Sequence, residues 1–426
     1  MPLTALPTPL SLADRVMTRC DELAACSESP DCLTRRYLTA PMRCVHDLLR
    51  EWMEAIGMSV CLDNAGNLIG RRESPGARRA LLVGSHLDTV PGGGRYDGVL
   101  GVLVGLAVVE ALAGAELPFH LDVIGFSEEE GVRYSKPYLG SAAVAGCFDP
   151  DWLGRVDSTG VTLRDAITAF GADPSHLDDC AYAPDEVIGY VEPHLEQGPV
   201  LERAREPVGV VSGVVGQSRL RLRVVGEAGH AGTTPMAGRR DALVAAAQFV
   251  TKARQLAVES DGLRATVGHF AVFPGAPNVI PERVEFSLDV RHASDDVRER
   301  AVDQLIIAGR RIAEAERCRF EVIEKSAQGA VEVDQQLTLA LADAISDVGI
   351  QPLWLPSGAG HDAVVMAQRF PVAMLFIRHP GGVSHHPDER VERDDVAVAI
   401  DVMSRFIHKL ASRPSHPPKP SPSTSL

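Results

Sequence analysis

The chain of 426 residues is poor in several things that would mark other kinds of protein. Its eight cysteines include no CxxC pair, which removes the usual spacing of a thiolate zinc site. Cys20, Cys26 and Cys32 are evenly spaced but fit no such pattern, so the expectation is ordinary reduced cysteines in a cytoplasmic protein. Positive charge is scarce. With 42 Lys and Arg against 57 Asp and Glu, the formal net charge is −15, which argues against a nucleic-acid or anionic-membrane partner. A few local arginines are still enough to hold a small anionic substrate. The opening stretch, "MPLTALPTPLSLADRV", lacks a basic start followed by a long apolar run, so no secretory signal is expected. The most membrane-like segment, residues 99–115, is short, interrupted by glycine and carries Glu110; a buried helix is expected there. No internal repeat is present.

What remains is the composition of a globular protein, 45% hydrophobic and 23% charged, long enough for two domains with their own cores. Up to about residue 203, short apolar runs alternate with helical segments. "ALLVGSH" (80–86) and "LDVIGFS" (121–127) read as buried strands of an α/β sheet, with a helix after Asp97 between them. Near Pro207 the texture changes. In "SRLRLRVVG" (218–226), Leu220, Leu222 and Val224 alternate with Arg219, Arg221 and Arg223, as in a strand with one solvated face. "RVEFSLDVR" (283–291) repeats the pattern, "ATVGHFAVF" (265–273) reads as a further strand and "RFEVIE" (319–324) as a closing one. Two helices complete the set, the second capped by Ser294 with Asp295 and Asp296 in its first turn. The expected fold is therefore α/β with an inserted smaller α+β domain at 208–326. The catalytic domain is expected to be discontinuous, 1–207 and 327–411, with "VAMLFI" (372–377) as a strand and a disordered Pro/Ser-rich tail at 412–426.

"GSHLDTVPGGGRYDG" (84–98) invites two readings. A phosphate-binding loop needs GxGxxG order or a Walker lysine, and neither is present. A metal explains more of the residues. His86 at a strand end offers a ring nitrogen, Asp97 a carboxylate, and Asp88 is placed to accept the other N–H of His86. Further on, "FSEEEGVRY" puts Glu128, Glu129 and Glu130 at a strand end, where Gly131 permits a bend. Unpaired burial of three carboxylates is costly, so they form either a solvated turn or a site in which one binds metal and another moves protons. His194 in "YVEPHLEQGPVLE" and His385 in "GGVSHHPDE" complete a plausible set; spacing alone does not separate His385 from His386.

Seven segments carry a resemblance: "GSHLDTVPGGGRYDG", "EEGVRY", "EPHLEQGPVLE", "GHAGTTPMAGRRDAL", "NVIPERVEFSLDVR", "SGAGHDA" and "GVSHHPDE". In this order they resemble the hydantoinase/carbamoylase family, which holds N-carbamoyl-L-amino-acid hydrolases, allantoate amidohydrolases and β-ureidopropionases. That family is related to dinuclear-zinc aminoacylases and carboxypeptidases. The likeness runs from about residue 15 to 410. It implies a zinc-peptidase-like α/β catalytic domain with a ferredoxin-like lid and dimerisation domain. It also implies two divalent metal ions (Zn²⁺ or Mn²⁺, with Co²⁺ or Ni²⁺ as further candidates) held by His86, Asp97, Glu130, His194 and His385. Asp97 would bridge the ions, with His86 and His385 on opposite metals; the Ser-His-x-Pro pattern selects His385 over His386.

By the same resemblance, Glu129 would be the general base, with Asp88 counted beside it among the catalytic residues, and the Asp97–Gly98 peptide would be cis. His230, reaching across from the partner subunit of a homodimer, would donate to the developing oxyanion. Arg291 would grip the substrate carboxylate, aided by Gln197, Asn278 and His361. The chain departs from relatives in the basic pair of "FIRHPGGVSHH" and in the third carboxylate, Glu128; neither touches an expected ligand. The implied activity is cleavage of a linear ureido C–N bond in a small carboxylate, with N-carbamoyl-L-amino acids ahead of allantoate. A dipeptidase or aminoacylase, and a non-catalytic small-carboxylate binder, are the competing functions.

Overall fold

A computed structural model describes residues 7–412; the tail expected at 412–426 lies, but for Ser412, outside the described residues. The chain divides into two compact units. The first takes the chain up to Ser212, Val333–Leu355 and the chain from Ala359 onward; the second takes Gly213–Glu332 with Pro356–Gly358.

The larger unit is built on a mixed sheet. Its strands lie in the order Ser59–Leu62, Leu68–Arg72, His120–Phe126, Ala80–His86, Val187–Leu195, Val372–Ile377 and Val208–Val214, with Trp354–Ser357 on the last. The central four run parallel. They are rich in Val, Leu and Ile because helices cover both faces and leave no side to water. Residues 208–210 pair with the strand Val372–Ile377, which ties them to this unit although the texture of the sequence changes just before them.

The helix Val99–Ala111 is apolar all round and buried along its length, so it behaves as a core element. Its one acid, Glu110, is matched by Arg15 and Arg19 from the first helix, Pro9–Ala24. Among the described residues no helix is long and apolar enough to cross a membrane.

Cys26, just past the first helix, meets Cys44 in the next, Ala40–Ala55, with Cα atoms 6.0 Å apart and a disulfide between them. This corrects the expectation that every cysteine is reduced. The two are 18 positions apart and are brought together by the path of the connecting loop, which spacing does not reveal. Cys20 and Cys32, the evenly spaced neighbours of Cys26, remain free.

In the second unit an antiparallel sheet runs in the order Phe270–Phe273, Arg283–His292, Gly216–Val225, Arg319–Gln328. Leu220, Leu222 and Val224 face the same core as Val284, Phe286, Leu288 and Val290, against Phe249, Val302 and Leu305 of the helices Ala242–Glu259 and Asp295–Ala315. The strand expected at 265–273 is two pieces, Arg264–Thr266 and Phe270–Phe273. Thr266 faces Asp289 and Phe270 faces Phe286, so four steps oppose three and one residue is extra. Such a bulge breaks a strand without breaking its apolar pattern.

His46 gives this fold a pH dependence. The Ser127 hydroxyl donates to the Gly66 carbonyl and lies 3.0 Å from His46 Nε2, which therefore carries the proton, while Nδ1 is buried without a partner. Burial, helped by the charges of Arg43, Arg50 and Arg35, pushes the ring down to about 3. The unfolded chain takes up this proton near pH 6.5 and the folded chain does not until about pH 3, so stability falls as pH drops through that window. The expected slope is at most about 1.4 kcal/mol per pH unit. His46→Gln should flatten the pH dependence of urea-unfolding free energy between pH 6.5 and 5; an unchanged slope would contradict the assignment.

Candidate metal centre

The site stands where the parallel strands end. His86 closes its strand, Glu128, Glu129 and Glu130 follow the strand His120–Phe126, and His194 is next to last in Val187–Leu195. In open α/β sheets the carboxyl ends of strands form the ligand crevice, because the loops there can diverge and leave a gap.

Two hydrogen bonds set the imidazoles. His86 Nδ1 donates to the Asp88 main-chain carbonyl (3.0 Å) and His194 Nδ1 to the Leu195 carbonyl (3.0 Å). Each ring thereby turns Nε2 inward, where it is a lone pair whenever the ring is neutral, and these two nitrogens lie 3.5 Å apart. Asp97 Oδ1 is 3.9 Å from His86 Nε2 and 3.5 Å from His194 Nε2. Its other oxygen, Oδ2, is 3.3 Å from His385 Nε2, which is 3.8 Å from Glu130 Oε1. Ligand atoms of His86, Asp97 and His194 all fall within 4.8 Å of one another, as do those of Asp97, Glu130 and His385, and those of His86, Glu129 and Glu130.

The electrostatics show what this cluster wants. Burial alone would discourage a proton on His86, but Asp88, Glu129 and Asp97 outweigh it and hold the ring well above its usual pKa. Asp97 is buried too, yet the His385 hydrogen bond and the nearby imidazoles keep it well below the usual carboxylate range. Burial drives His194 down to about 4 and Glu130 up to about 7. Facing ring nitrogens and clustered carboxylates, most of them buried, call for positive charge between them. Imidazole nitrogens with carboxylate oxygens are the donor set of zinc, manganese, cobalt or nickel, so the residues fit two divalent ions.

Asp88 stands differently from the expectation. The carbonyl of Asp88 takes the His86 proton, with carboxylate Oδ1 a longer 3.5 Å from Nδ1. The carboxylate instead accepts the main-chain N–H of Glu129 (3.0 Å) and of Glu130 (3.1 Å), holding the turn that presents both glutamates. Glu128, buried rather than solvated, accepts from Gly131 N–H and tightens the same turn. Burial, with the negative charges of Glu130, Asp362 and Asp88, raises Glu129 well above the ordinary carboxylate range despite His86.

The Asp97–Gly98 peptide is trans, which corrects the expected cis bond; among the described residues the cis bond is Phe273–Pro274. Gly98 makes the turn with φ +68°, and a Cβ there would come within 2.5 Å of the His86 ring. Gln197 donates to Asp97 Oδ1 (2.9 Å) and Ser384 Oγ (3.0 Å). The His361 ring is buried with its centroid 4.4 Å from that of His194. Sequence reasoning missed Glu192, whose carboxylate accepts from Ser85 Oγ (3.1 Å) and Ala363 N–H (2.9 Å). Its signal was available: an acid two places before His194 in a buried strand shares that residue's face.

The remaining candidates belong to the second unit. His230 pairs across a short ribbon with Val279, next to Asn278, whose carbonyl accepts Ala231 N–H (2.9 Å). Gly232 N–H donates to His230 Nδ1 (3.1 Å), so exposed Nε2 carries the proton. Arg291 is held by Asp289 through Nε (2.8 Å) and Nη2 (3.1 Å), while Nη1 donates to the Gly358 carbonyl (2.6 Å).

Comparison with known proteins adds the following. Residues 82–409 match Peptidase family M20/M25/M40. An N-carbamoyl-L-amino acid amidohydrolase of Geobacillus stearothermophilus is 39% identical over 403 residues, 93% of this chain and 98% of that protein. An allantoate deiminase of Arabidopsis thaliana is 38% identical over 431 residues, covering 93% and 82%. The crystal structure of a hydantoinase/carbamoylase family amidase from Burkholderia multivorans superposes with TM-score 0.88 at 31% identity, covering 95% of this chain and 98% of that one.

Gly98→Ala tests the geometry directly. The added methyl should displace the His86 ring and cost at least about 1 kcal/mol through the positive φ alone. Metal content after dialysis against Zn²⁺, read by plasma mass spectrometry, should fall below that of the unaltered protein; an equal content would show that the ring has no ligand to lose.

Proposed function

Because the chain belongs to Peptidase family M20/M25/M40 and to the hydantoinase/carbamoylase amidases, we propose that it is a metal-dependent amidohydrolase acting on a linear ureido C–N bond. The favoured substrate is an N-carbamoyl-L-amino acid, released as amino acid, ammonia and carbon dioxide. One observation carries this most: a single buried carboxylate, Asp97, faces two histidines with one oxygen and a third histidine with the other, beside two glutamates. Allantoate is the second substrate to weigh, because relatives with either name match almost equally well.

His86, His194 and Asp97 would hold one ion, and Asp97, Glu130 and His385 the other. When bound, such ions polarise a carbonyl and lower the proton affinity of water. Glu129 supplies the proton transfer. Held on its turn beside Glu130, with a ligand atom close to His86, its carboxylate is placed to take a proton from the attacking water and pass it to the departing nitrogen as the C–N bond breaks. Asp88 keeps Glu129 and Glu130 on their turn. His230, with its proton on Nε2, is suited to donate to the carbonyl oxygen as negative charge gathers there.

Arg291 would bind the substrate carboxylate, pre-oriented by Asp289, with Asn278, Gln197 and His361 holding the same end of the molecule. We assign the second unit the roles of lid and dimerisation domain, with His230 acting on the partner subunit's substrate, in a homodimer.

With Mn²⁺ or Zn²⁺ supplied, ammonia release from N-carbamoyl-L-methionine should exceed that from allantoate. Turnover of neither would contradict the proposal, and turnover of a dipeptide panel alone would point to peptidase chemistry. Glu129→Gln should keep its metal and lose several orders of magnitude in kcat; an undiminished rate would exclude Glu129 as the base. Arg291→Ala should raise KM steeply with a smaller change in kcat, and an unchanged KM would clear Arg291 of carboxylate binding.

A further inference from the structure

One acid of "SHHPDE" has no part in the chemistry above. Glu389 is buried, and its Oε1 accepts two consecutive main-chain N–H groups, those of Tyr96 and Asp97, each at 3.0 Å. The two ends of this contact are 292 residues apart in the chain at Asp97. One end is the loop that presents Asp97. The other follows His385 by four positions and is folded back by a turn in which Glu389 N–H donates to the His386 carbonyl (3.0 Å).

The glycine run of 92–94 makes the contact possible. A Cβ on Gly94 would overlap the Glu389 carboxyl and its Cβ, so the side chain lies over the loop only because residue 94 has none. On the far side of the same contact, His385 Nε2 stands 3.3 Å from Asp97 Oδ2. The two loops therefore meet twice, once through the prospective ligands and once through Glu389.

We propose that Glu389 is a positioning residue of the metal centre, which fixes the main chain at Asp97 and locks the Asp97 and His385 loops into one frame. The proposal rests on the metal-binding assignment made above. Two buried N–H groups left without an acceptor would be costly, and one oxygen satisfies both. With the main chain held at residues 96 and 97, the Asp97 carboxylate keeps its oxygens aimed at different histidines. Partners standing behind metal ligands in this way typically set 10–100-fold in metal affinity.

The test is a competition titration of the metal-stripped, full-length protein with Zn²⁺ against a chromophoric chelator, with circular dichroism to establish folding. The unaltered protein should take up two equivalents. Glu389→Ala should weaken at least one of them by about 10–100-fold. Glu389→Gln retains the accepting oxygen and should stay near the unaltered affinity. Gly94→Ala, which displaces the carboxyl without removing it, should weaken binding as Glu389→Ala does, and it decides the matter if Glu389→Ala does not fold. A folded Glu389→Ala with unaltered affinity would overturn the proposal, as would Glu389→Gln losing as much as Glu389→Ala. Absence of metal uptake by the unaltered protein would instead overturn the metal assignment itself, and it shows in the first titration.

Discussion

Asp97 has one carboxylate and two sets of neighbours. Oδ1 points at His86 and His194, Oδ2 at His385, and both oxygens are buried where stray water cannot neutralise them. A carboxylate in that position is tolerable only if cations or protonated rings surround it, since an uncompensated buried charge costs several kcal/mol. The larger unit is arranged around meeting that demand. Parallel strands deliver His86, the glutamate turn and His194 to one rim of the sheet. Main-chain carbonyls take the Nδ1 protons so that the Nε2 atoms face inward. Gly98 clears space for the His86 ring.

A second tier of buried acids stands behind the first. Asp88 binds the main chain of Glu129 and Glu130, Glu192 joins the strand of His86 to the segment after His361, and Glu128 closes its own turn. In each case a carboxylate accepts main-chain or hydroxyl hydrogens next to a site residue. The scaffold thereby spends its acids on orientation as well as on binding. That is consistent with an enzyme, since catalysis requires reacting groups held to fractions of an ångström.

Much of this was legible in the sequence where the physics is local. The strands at 80–86 and 372–377 and the buried helix after Asp97 follow from unbroken apolar runs, and Gly216–Val225 from strict alternation. His86, Glu129, Glu130 and His194 stand out as polar groups at or just past strand ends, whereas the bridging place of Asp97 and the choice of His385 over His386 come from the family resemblance. Legibility ends where an outcome depends on distant chain. The bulge between Thr266 and Phe270 preserves hydrophobic pattern while shifting register. The Cys26–Cys44 pairing depends on how the chain between the first two helices turns. Asp88 looked like a partner for His86, but two consecutive N–H groups of a different loop compete for its oxygens. Glu192 shows its face through the strand period but not its partners, and Glu389 carries no local sign of what it holds.

The most direct test of the account is anomalous X-ray scattering from crystals of the protein grown with Mn²⁺. Two peaks should flank the Asp97 carboxylate, one among Asp97, His86 and His194 and the other among Asp97, Glu130 and His385. A single peak, peaks elsewhere, or none at saturating Mn²⁺ would contradict the claim that Asp97 is shared between two ions.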